Sequence, residues 1–154
     1  MDATNNYVTK SEVIDLVNPT KSCQSWADHP TGTWFAAGAL VDSQVILCGG
    51  DTPDEQLSND CHLITPASSE AIVSLIVGSR NSAATEINGK VLVAGGVAGG
   101  VGINGIKRTQ LISTDQASPG PDLPYPVYHH CIIKINDEDI FLTGGDGTQV
   151  PHIG

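Results

Sequence analysis

Three short segments that each end in a glycine pair constrain the fold of this 154-residue chain more than any other feature. They are residues 45–50 (VILCGG), 91–96 (VLVAGG) and 140–145 (IFLTGG), and the glycine pairs are separated by 46 and then by 49 residues. An apolar run of this length fits a buried strand, and a fixed period of this size indicates repeated structural units. Glycine accepts positive φ and close backbone approach. We therefore predict structural roles for the six paired glycines, Gly49, Gly50, Gly95, Gly96, Gly144 and Gly145.

A second strand precedes each glycine segment and is predicted to form a hairpin with it. The clearest turn is Asn88-Gly89, because both residues accept the left-handed conformation of a type I′ turn. The predicted hairpins cover residues 35–49, 82–95 and 131–144. Strands that run into Gly-Gly at this period are typical of the blades of a β-propeller.

Outer strands are expected to complete the repeated units. Third strands are predicted at residues 12–16, 61–65 and 109–113. A fourth strand is predicted at residues 71–77, and the alternative there is a helix over residues 70–77. Residues 22–26 carry a weaker pattern. After Ser113 the pattern is weaker still, because four prolines follow and proline cannot donate to a strand ladder.

The chain resembles the Kelch repeat family over roughly residues 12–147. The resemblance rests on the Gly-Gly strands, the hairpins that contain them and the upstream Trp26. Secreted Kelch-type proteins of invertebrates are similar in further segments, which are residues 12–16, Cys23, 48–50, 59–61, 120–124 and 130–131. The resemblance implies an all-β fold of Kelch-type propeller blades, flanked by an N-terminal extension (residues 1–11) and a C-terminal tail (residues 148–154). The outer-strand tyrosine and tryptophan of a strict Kelch blade are missing from the second and third periods. Their packing is expected to be replaced by Leu63, Ile64, Leu111 and Ile112.

The number of predicted blades is too small for a ring. The chain supplies about three blade equivalents, with periods ending at Gly50, Gly96 and Gly145, whereas closed propellers need about four to eight. An open arc would leave unpaired strand edges at residues 12–16 and 140–143. Two interpretations stay open. The chain is a partial propeller from a longer protein, or it is half of a six-bladed ring closed by twofold dimerisation.

Charge and hydropathy exclude two classes of partner. The formal net charge is −10, and the seven basic residues are scattered. Binding to nucleic acid or to an anionic membrane would require a basic stripe. No run approaches the length of a transmembrane helix, and residues 1–11 lack the apolar core of a signal peptide. We therefore predict no nucleic-acid partner and no membrane partner.

The four cysteines bear on the cellular compartment. None are spaced as Cys-x-x-Cys, so a zinc site is not expected. Cys48 lies in a glycine strand and Cys61 begins the strand expected beside it, so the two can form a disulfide bond if the register matches. The alternative is that Cys48 and Cys131 are small buried apolar residues. A disulfide would require an oxidising compartment, and the Kelch resemblance also favours an extracellular location, with the cytoplasm as the alternative.

No catalytic constellation is recognisable in the sequence. His129 and His130 with Asp146 could in principle bind a metal ion, but adjacent residues on a strand point to opposite faces. The glycine-rich residues 95–105 lack the Gly-Lys-Ser/Thr of a phosphate-binding loop, and no Gly-x-Ser-x-Gly motif occurs. The copper site of galactose oxidase, an enzyme with Kelch blades, has no counterpart here. The prediction is a chain without catalytic residues, metal or cofactor.

We therefore predict a noncatalytic protein-interaction module that presents loops from one face of a rigid ring. The alternative is a fragment of a propeller enzyme whose catalytic residues lie outside this chain. Aromatic residues and arginine often anchor interfaces. The predicted partner-binding residues are Trp34, Asp51, Asp54, Arg80, Tyr128 and His129. In the alternative interpretation, Trp34 and Tyr128 pack between blades and Arg80 only satisfies loop carbonyls. If these three side chains bind a partner, alanine at any one of them should weaken binding by more than about 1 kcal/mol and leave thermal stability nearly unchanged.

Overall fold

A computed structural model describes residues 7–18, 20–99 and 105–147, and this part of the chain is all-β, with no helix. The predicted tail (residues 148–154), most of the predicted extension (residues 1–11) and the middle of the glycine-rich run lie outside the described residues. The described strands are β1 (Ser11–Val13), β2 (Gln24–Trp26), β3 (Ala37–Val41), β4 (Gln44–Cys48), β5 (Cys61–Ile64), β6 (Ser69–Ala71), β7 (Ala83–Ile87), β8 (Lys90–Ala94), β9 (Thr109–Ile112), β10 (Ala117–Pro119), β11 (Tyr128–Lys134) and β12 (Ile140–Asp146).

These strands form four antiparallel sheets that follow one another along the chain. The first sheet is β1-β2, the second is β3-β4-β5-β6, the third is β7-β8-β9-β10 and the fourth is β11-β12. The predicted hairpins are present, and the Asn88-Gly89 turn is left-handed at both residues, with φ values of 50° and 70°. The equivalent turn residues Asp42 and Ser43 have φ values of 48° and 64°. The three glycine segments of the sequence therefore lie in three successive sheets.

Several outer strands differ from the predicted bounds. β1 ends at Val13 rather than at residue 16, and the fourth strand of the second sheet is Ser69–Ala71 rather than residues 71–77. The alternative helix over residues 70–77 does not form. β10 forms in spite of the prolines. Gly120 N donates a hydrogen bond to Thr109 O, so the nitrogen of the preceding Pro119 lies on the outer side of this edge strand. No hydrogen-bond donor is needed there.

Apolar side chains between successive sheets form two cores. The larger core joins the second sheet to the third and is centred on Ile46, Cys61, Val91, Val93 and Ile112. The smaller core joins the third sheet to the fourth and contains Ala94, Leu123, Val127 and Ile132. The second, third and fourth sheets are therefore held together by burial of apolar surface between neighbouring sheets.

The first three sheets each make the same backbone hydrogen bond at equivalent positions. In each, the chain that leaves the outermost strand donates a hydrogen bond to the segment just before the third strand of the unit. The three bonds are His29 N to Thr9 O at 2.7 Å, Leu75 N to Asn59 O at 2.7 Å and Leu123 N to Lys107 O at 2.6 Å. This equivalence fixes the alignment of the repeats. It also places His29 where the two other units bury a leucine.

Close backbone approach explains the first glycine of each pair. A Cβ atom at Gly49 would lie 2.3 Å from Ser79 O, and a Cβ atom at Gly95 would lie 2.5 Å from Val127 O. Both oxygens belong to the connection that leads into the next sheet. All six paired glycines have positive φ, but at Gly144 no described atom would lie within 4 Å of a Cβ. Among residues 7–18, 20–99 and 105–147, the last sheet thus lacks the close backbone contact that Gly49 and Gly95 make with the next sheet.

Candidate functional site

One end of the molecule is marked by three equivalent residues in the left-handed backbone conformation. Phe35, Asn81 and His129 have φ values of 56°, 55° and 56°. Asn81 N donates to Phe35 O and His129 N donates to Asn81 O, both at 3.0 Å, so one line of hydrogen bonds crosses the second, third and fourth sheets. We use the name inner rim for these three residues and the residue before each of them, which are Trp34, Phe35, Arg80, Asn81, Tyr128 and His129.

Aromatic side chains gather at the start of the inner rim. Phe35 is 55% exposed and its ring lies edge-on to Trp34, with ring centroids 6.1 Å apart. Tyr7 stacks on Trp34, with ring centroids 4.7 Å apart and planes 12° apart. Desolvation, followed by the nearby carboxylates of Glu55, Asp51 and the exposed Asp54, raises the pKa of the Tyr7 phenol. A bulky residue with positive φ is uncommon and costs conformational energy, so Phe35 is held there by its surroundings.

Arg80 and Asp51 form an ion pair between the second and third sheets. Arg80 Nη1 donates to Asp51 Oδ2 at 2.6 Å; the Asp51 side chain is 7% exposed and that of Arg80 is 38% exposed. Among the described residues Asp51 Oδ1 is buried without a hydrogen-bond partner. The Asp51 carboxylate therefore faces the protein interior. Arg80 neutralises it, a role that neither interpretation of the sequence had assigned to this arginine.

Tyr128 and His129 continue the inner rim on the fourth sheet. The half-buried Tyr128 ring lies against Gly105 and at a centroid distance of 5.1 Å from the His129 ring. His129 Nδ1 is 3.3 Å from Asp146 Oδ2, and both side chains are exposed. His130 is buried, so the two adjacent histidines point to opposite faces. Only His129 is accessible on the rim.

The structure brings most of the predicted site residues into one region. Backbone bridges join Trp34 to Asp51 and Arg80 to Val97, so the connections after β4 and β8 lie beside the rim. Sequence reasoning missed Phe35 and Asn81 as site residues and assigned Phe35 to a strand. A usable signal was present: asparagine tolerates the left-handed conformation, and Asn81 marks the repeat position that Phe35 also occupies.

Buried histidines lie at two of the contacts between sheets. The His29 and His62 rings are 4.6 Å apart, and His29 Nδ1 accepts a hydrogen bond from Gly32 N at 3.0 Å. Burial lowers the pKa of both imidazoles, and the proximity of His62 lowers the pKa of His29 further. His130 packs against Gly95, its ring nitrogens lack partners among the described residues, and burial lowers its pKa. These contacts therefore favour neutral imidazole rings.

The predicted disulfide bond is present. Cys48 and Cys61 lie directly opposite each other on β4 and β5, with a Cα–Cα distance of 4.1 Å, and their sulfur atoms are bonded. Cys23 and Cys131 are free and exposed, so the alternative that Cys131 is a buried apolar residue is wrong. The bridge ties the inner half of the second sheet to its outer half.

Two further findings concern the described residues alone. They contain no group of three or more histidine, cysteine, aspartate or glutamate side chains arranged to hold a metal ion. No helix long and apolar enough to cross a membrane occurs in residues 7–18, 20–99 and 105–147.

Comparison with known proteins gives a likeness in fold. No protein-family model matches the chain. No curated protein matches it either. The solved structure of YjhT is similar, with a TM-score of 0.77 and 13% sequence identity over 90% of this chain and 46% of the other. This chain thus spans about half the length of the solved structure that it matches. At this identity the similarity shows a shared fold.

Proposed function

We propose that this chain is built of Kelch-type β-propeller blades and is a noncatalytic module that binds a protein partner through its inner rim. The glycine-strand period, the four successive antiparallel sheets and the likeness in fold support the propeller arrangement. Propellers present loops on a rigid framework, and loops on such a framework commonly carry binding.

The observation that carries the binding proposal is the exposed aromatic side chain of Phe35 on a left-handed backbone. Strained backbone is concentrated at functional sites, and exposed aromatic residues are frequent anchors of interfaces. Phe35 stands beside Trp34, on which Tyr7 stacks, and these two side chains add apolar and hydrogen-bonding surface. The neighbouring carboxylates Asp54 and Glu55 are exposed, so the surface suits a partner with an apolar centre and basic groups at its edge.

The Cys48–Cys61 bridge supports an extracellular setting for this function. Disulfide bonds persist in oxidising compartments and are rare in the cytosol. We therefore propose that the partner is met outside the cell.

The substitution Phe35→Asn tests the binding role. Asparagine occupies the equivalent position at residue 81 with nearly the same φ, so the variant removes the aromatic ring and keeps the backbone. The chain is used to capture partners from the extracellular fluid of its source, and the recovered protein is purified and titrated against each variant. Binding to Phe35→Asn is expected to be weaker by at least about fivefold, which corresponds to about 1 kcal/mol.

Ile135→Asn is the matched control, because Ile135 is also an exposed apolar residue but lies at the opposite end of its hairpin. It should bind the partner as the unmodified chain does. Thermal unfolding of Phe35→Asn should be unchanged or shifted upward, since asparagine tolerates positive φ better than phenylalanine. Equal binding by Phe35→Asn and the unmodified chain would rule out the inner rim as the binding surface.

A further inference from the structure

We infer that mild acid opens the turn at residues 29–32 and releases the Tyr7 ring from Trp34, so that pH regulates the aromatic part of the inner rim. The consequence for binding rests on the function proposed above, but the structural change does not depend on a partner. The parts that carry the inference are the buried His29 imidazole, the turn that it closes and the segment at residues 7–9, which lies against this turn.

The His29 imidazole closes the turn by accepting hydrogen bonds. Gly32 N donates to His29 Nδ1 at 3.0 Å, and Thr31 N donates to the same atom at 3.4 Å. A ring nitrogen that accepts hydrogen bonds carries no proton, so the proton of the neutral ring is on Nε2. Protonation of the ring places a second proton on Nδ1, which then faces two N–H groups and can no longer accept from either of them. The closed turn therefore requires a neutral imidazole.

The closed turn supports the segment at residues 7–9. His29 N donates to Thr9 O at 2.7 Å. Gly32 has a φ of 69°, and a Cβ atom there would lie 2.9 Å from Tyr7 Cβ and 3.2 Å from Val8 O. The backbone of the turn is thus in direct contact with this segment. Opening of the turn removes the support on which the position of the Tyr7 ring depends.

Trp34 is held by contacts that do not involve the imidazole. Its backbone exchanges two hydrogen bonds with Asp51, from Trp34 N to Asp51 O at 3.1 Å and from Asp51 N to Trp34 O at 2.9 Å. The Tyr7 ring is held by its stack on Trp34 and by a hydrogen bond from its hydroxyl to Thr52 O at 3.0 Å. Opening of the turn therefore displaces Tyr7 while Trp34 keeps its place, and one face of the indole ring becomes exposed.

The surroundings of the His29 ring oppose its protonation. His29 is 9% exposed, and its ring centroid lies 4.6 Å from that of His62. The cavity beside the two rings has a volume of about 20 Å³, which is room for about one water molecule. Burial, followed by the proximity of His62, lowers the pKa of His29 from 6.5, and the exposed carboxylate of Asp60 acts in the opposite direction. Below this pH range, opening of the turn relieves the desolvation of the charged ring.

The other elements that pack against the turn contribute few titratable groups. In the segment at residues 7–9 the titratable side chain is the Tyr7 phenol, whose pKa is raised above 10.0. Asp28, the residue before His29, is paired with Lys10 at 2.8 Å. Burial also lowers the pKa of His62, again against the effect of a nearby carboxylate. Among the described residues at this contact, His29 and His62 are therefore the groups that gain charge as the pH falls from 7.5 to 5.0.

Hydrogen exchange of the Gly32 amide, followed by NMR, tests the opening of the turn. Between pH 7.5 and pH 5.0 its protection factor should fall by about tenfold or more, while the amides of Trp34 and Asn81 keep theirs within about twofold. The variant His29→Asn separates the hydrogen bond from the charge. The asparagine side-chain oxygen is as far along the side chain as histidine Nδ1, accepts a hydrogen bond from the turn and does not titrate. In this variant the Gly32 amide should stay protected at both pH values.

His130→Ser is the matched control. His130 is another buried histidine, and serine occupies the equivalent position 82, which follows Asn81 as His130 follows His129. This variant should lose protection at Gly32 as the unmodified chain does. Fluorescence supplies a second measurement, because Trp26→Phe leaves Trp34 as the single tryptophan. Its quenching by acrylamide should increase at pH 5.0, and the addition of His29→Asn should abolish the increase.

Three results would overturn the inference. The first is a Gly32 amide that stays protected at pH 5.0 in the unmodified chain, and the second is an equal loss of protection in His29→Asn. The third is a loss of protection at Trp34 and Asn81 together with Gly32, which would show general unfolding. None of these measurements uses a partner, so failure of the acid response and failure of the binding role of Phe35 are separate results.

Discussion

Removal of the Arg80 side chain should destabilise the chain more than removal of the carboxylate that it binds. The substitution Arg80→Ala leaves Asp51 with a 7% exposed side chain, no guanidinium and one oxygen already without a partner. Asp51→Val removes the buried charge and leaves Arg80 at 38% exposure, where water can solvate it. Valine is also the residue at the equivalent position 97 of the third sheet.

The magnitudes follow from burial. Leaving a fully buried charge unpaired costs about 3–5 kcal/mol, and the loss of a charged hydrogen bond costs about 1.5–3 kcal/mol. Since Arg80 is partly exposed, water can reach the carboxylate after its removal, and we expect Arg80→Ala to lower the free energy of unfolding by about 2 kcal/mol. Asp51→Val should lower it by less than about 1 kcal/mol, and the double variant should be more stable than Arg80→Ala alone.

The assay is urea unfolding of the four proteins at pH 7.5, analysed as a double-mutant cycle. Thermal midpoints supply a second reading, with a shift of about 4–8 °C for Arg80→Ala in a chain of this size. The reasoning is refuted if Asp51→Val is as destabilising as Arg80→Ala, or if the two effects simply add. The outcome also matters for binding studies, because weaker binding by an unstable Arg80→Ala protein would not show that Arg80 contacts the partner.

Stability should fall as the pH drops below about 6.5, because burial lowers the folded-state pKa of His29, His62 and His130 from 6.5 and the unfolded chain takes up protons first. His29→Leu introduces the leucine that occupies the equivalent positions 75 and 123, and it should reduce the difference in unfolding free energy between pH 5.5 and pH 7.5, measured by urea titration. An unchanged difference would contradict the role of the His29 imidazole. Replacement of the disulfide by the pair found in the third sheet, Cys48→Ala with Cys61→Thr, should lower the free energy of unfolding by about 3 kcal/mol, from the loop of 13 residues that it closes. Calorimetry of that variant beside the reduced and oxidised parent measures the loss, and a difference below about 1 kcal/mol would show that the loop is ordered without the bridge.

Local chemistry made part of this fold predictable from sequence. The Gly-Gly strands and the Asn88-Gly89 turn depend on conformations that few residues other than glycine and asparagine adopt easily, so their positions are visible without a structure. The Cys48–Cys61 bridge follows from two adjacent strands in register. The glycine strands and the turn need information from neighbouring residues only, and the bridge needs in addition the pairing of two strands that are consecutive in the chain.

Other features depend on contacts between distant parts of the chain. The burial of Asp51 is set by Arg80, 29 residues away, and no local pattern distinguishes it from a solvated loop carboxylate. The outer strands β6 and β10 have three residues each, too few to give a periodic signal. The left-handed conformation of Phe35 accompanies a hydrogen bond from Asn81 N in the next repeat, and no residue of its own segment signals it.

The three left-handed positions of the inner rim have one backbone geometry and three chemically different side chains. Phe35, Asn81 and His129 differ by no more than 1° in φ, and the hydrogen bonds that link them use main-chain atoms. These main-chain hydrogen bonds do not require a particular side chain, although residues that tolerate positive φ occupy the positions at lower energetic cost than bulky ones. A combinatorial library restricted to residues that tolerate positive φ would therefore vary what the surface recognises while the main-chain hydrogen bonds between the sheets are kept.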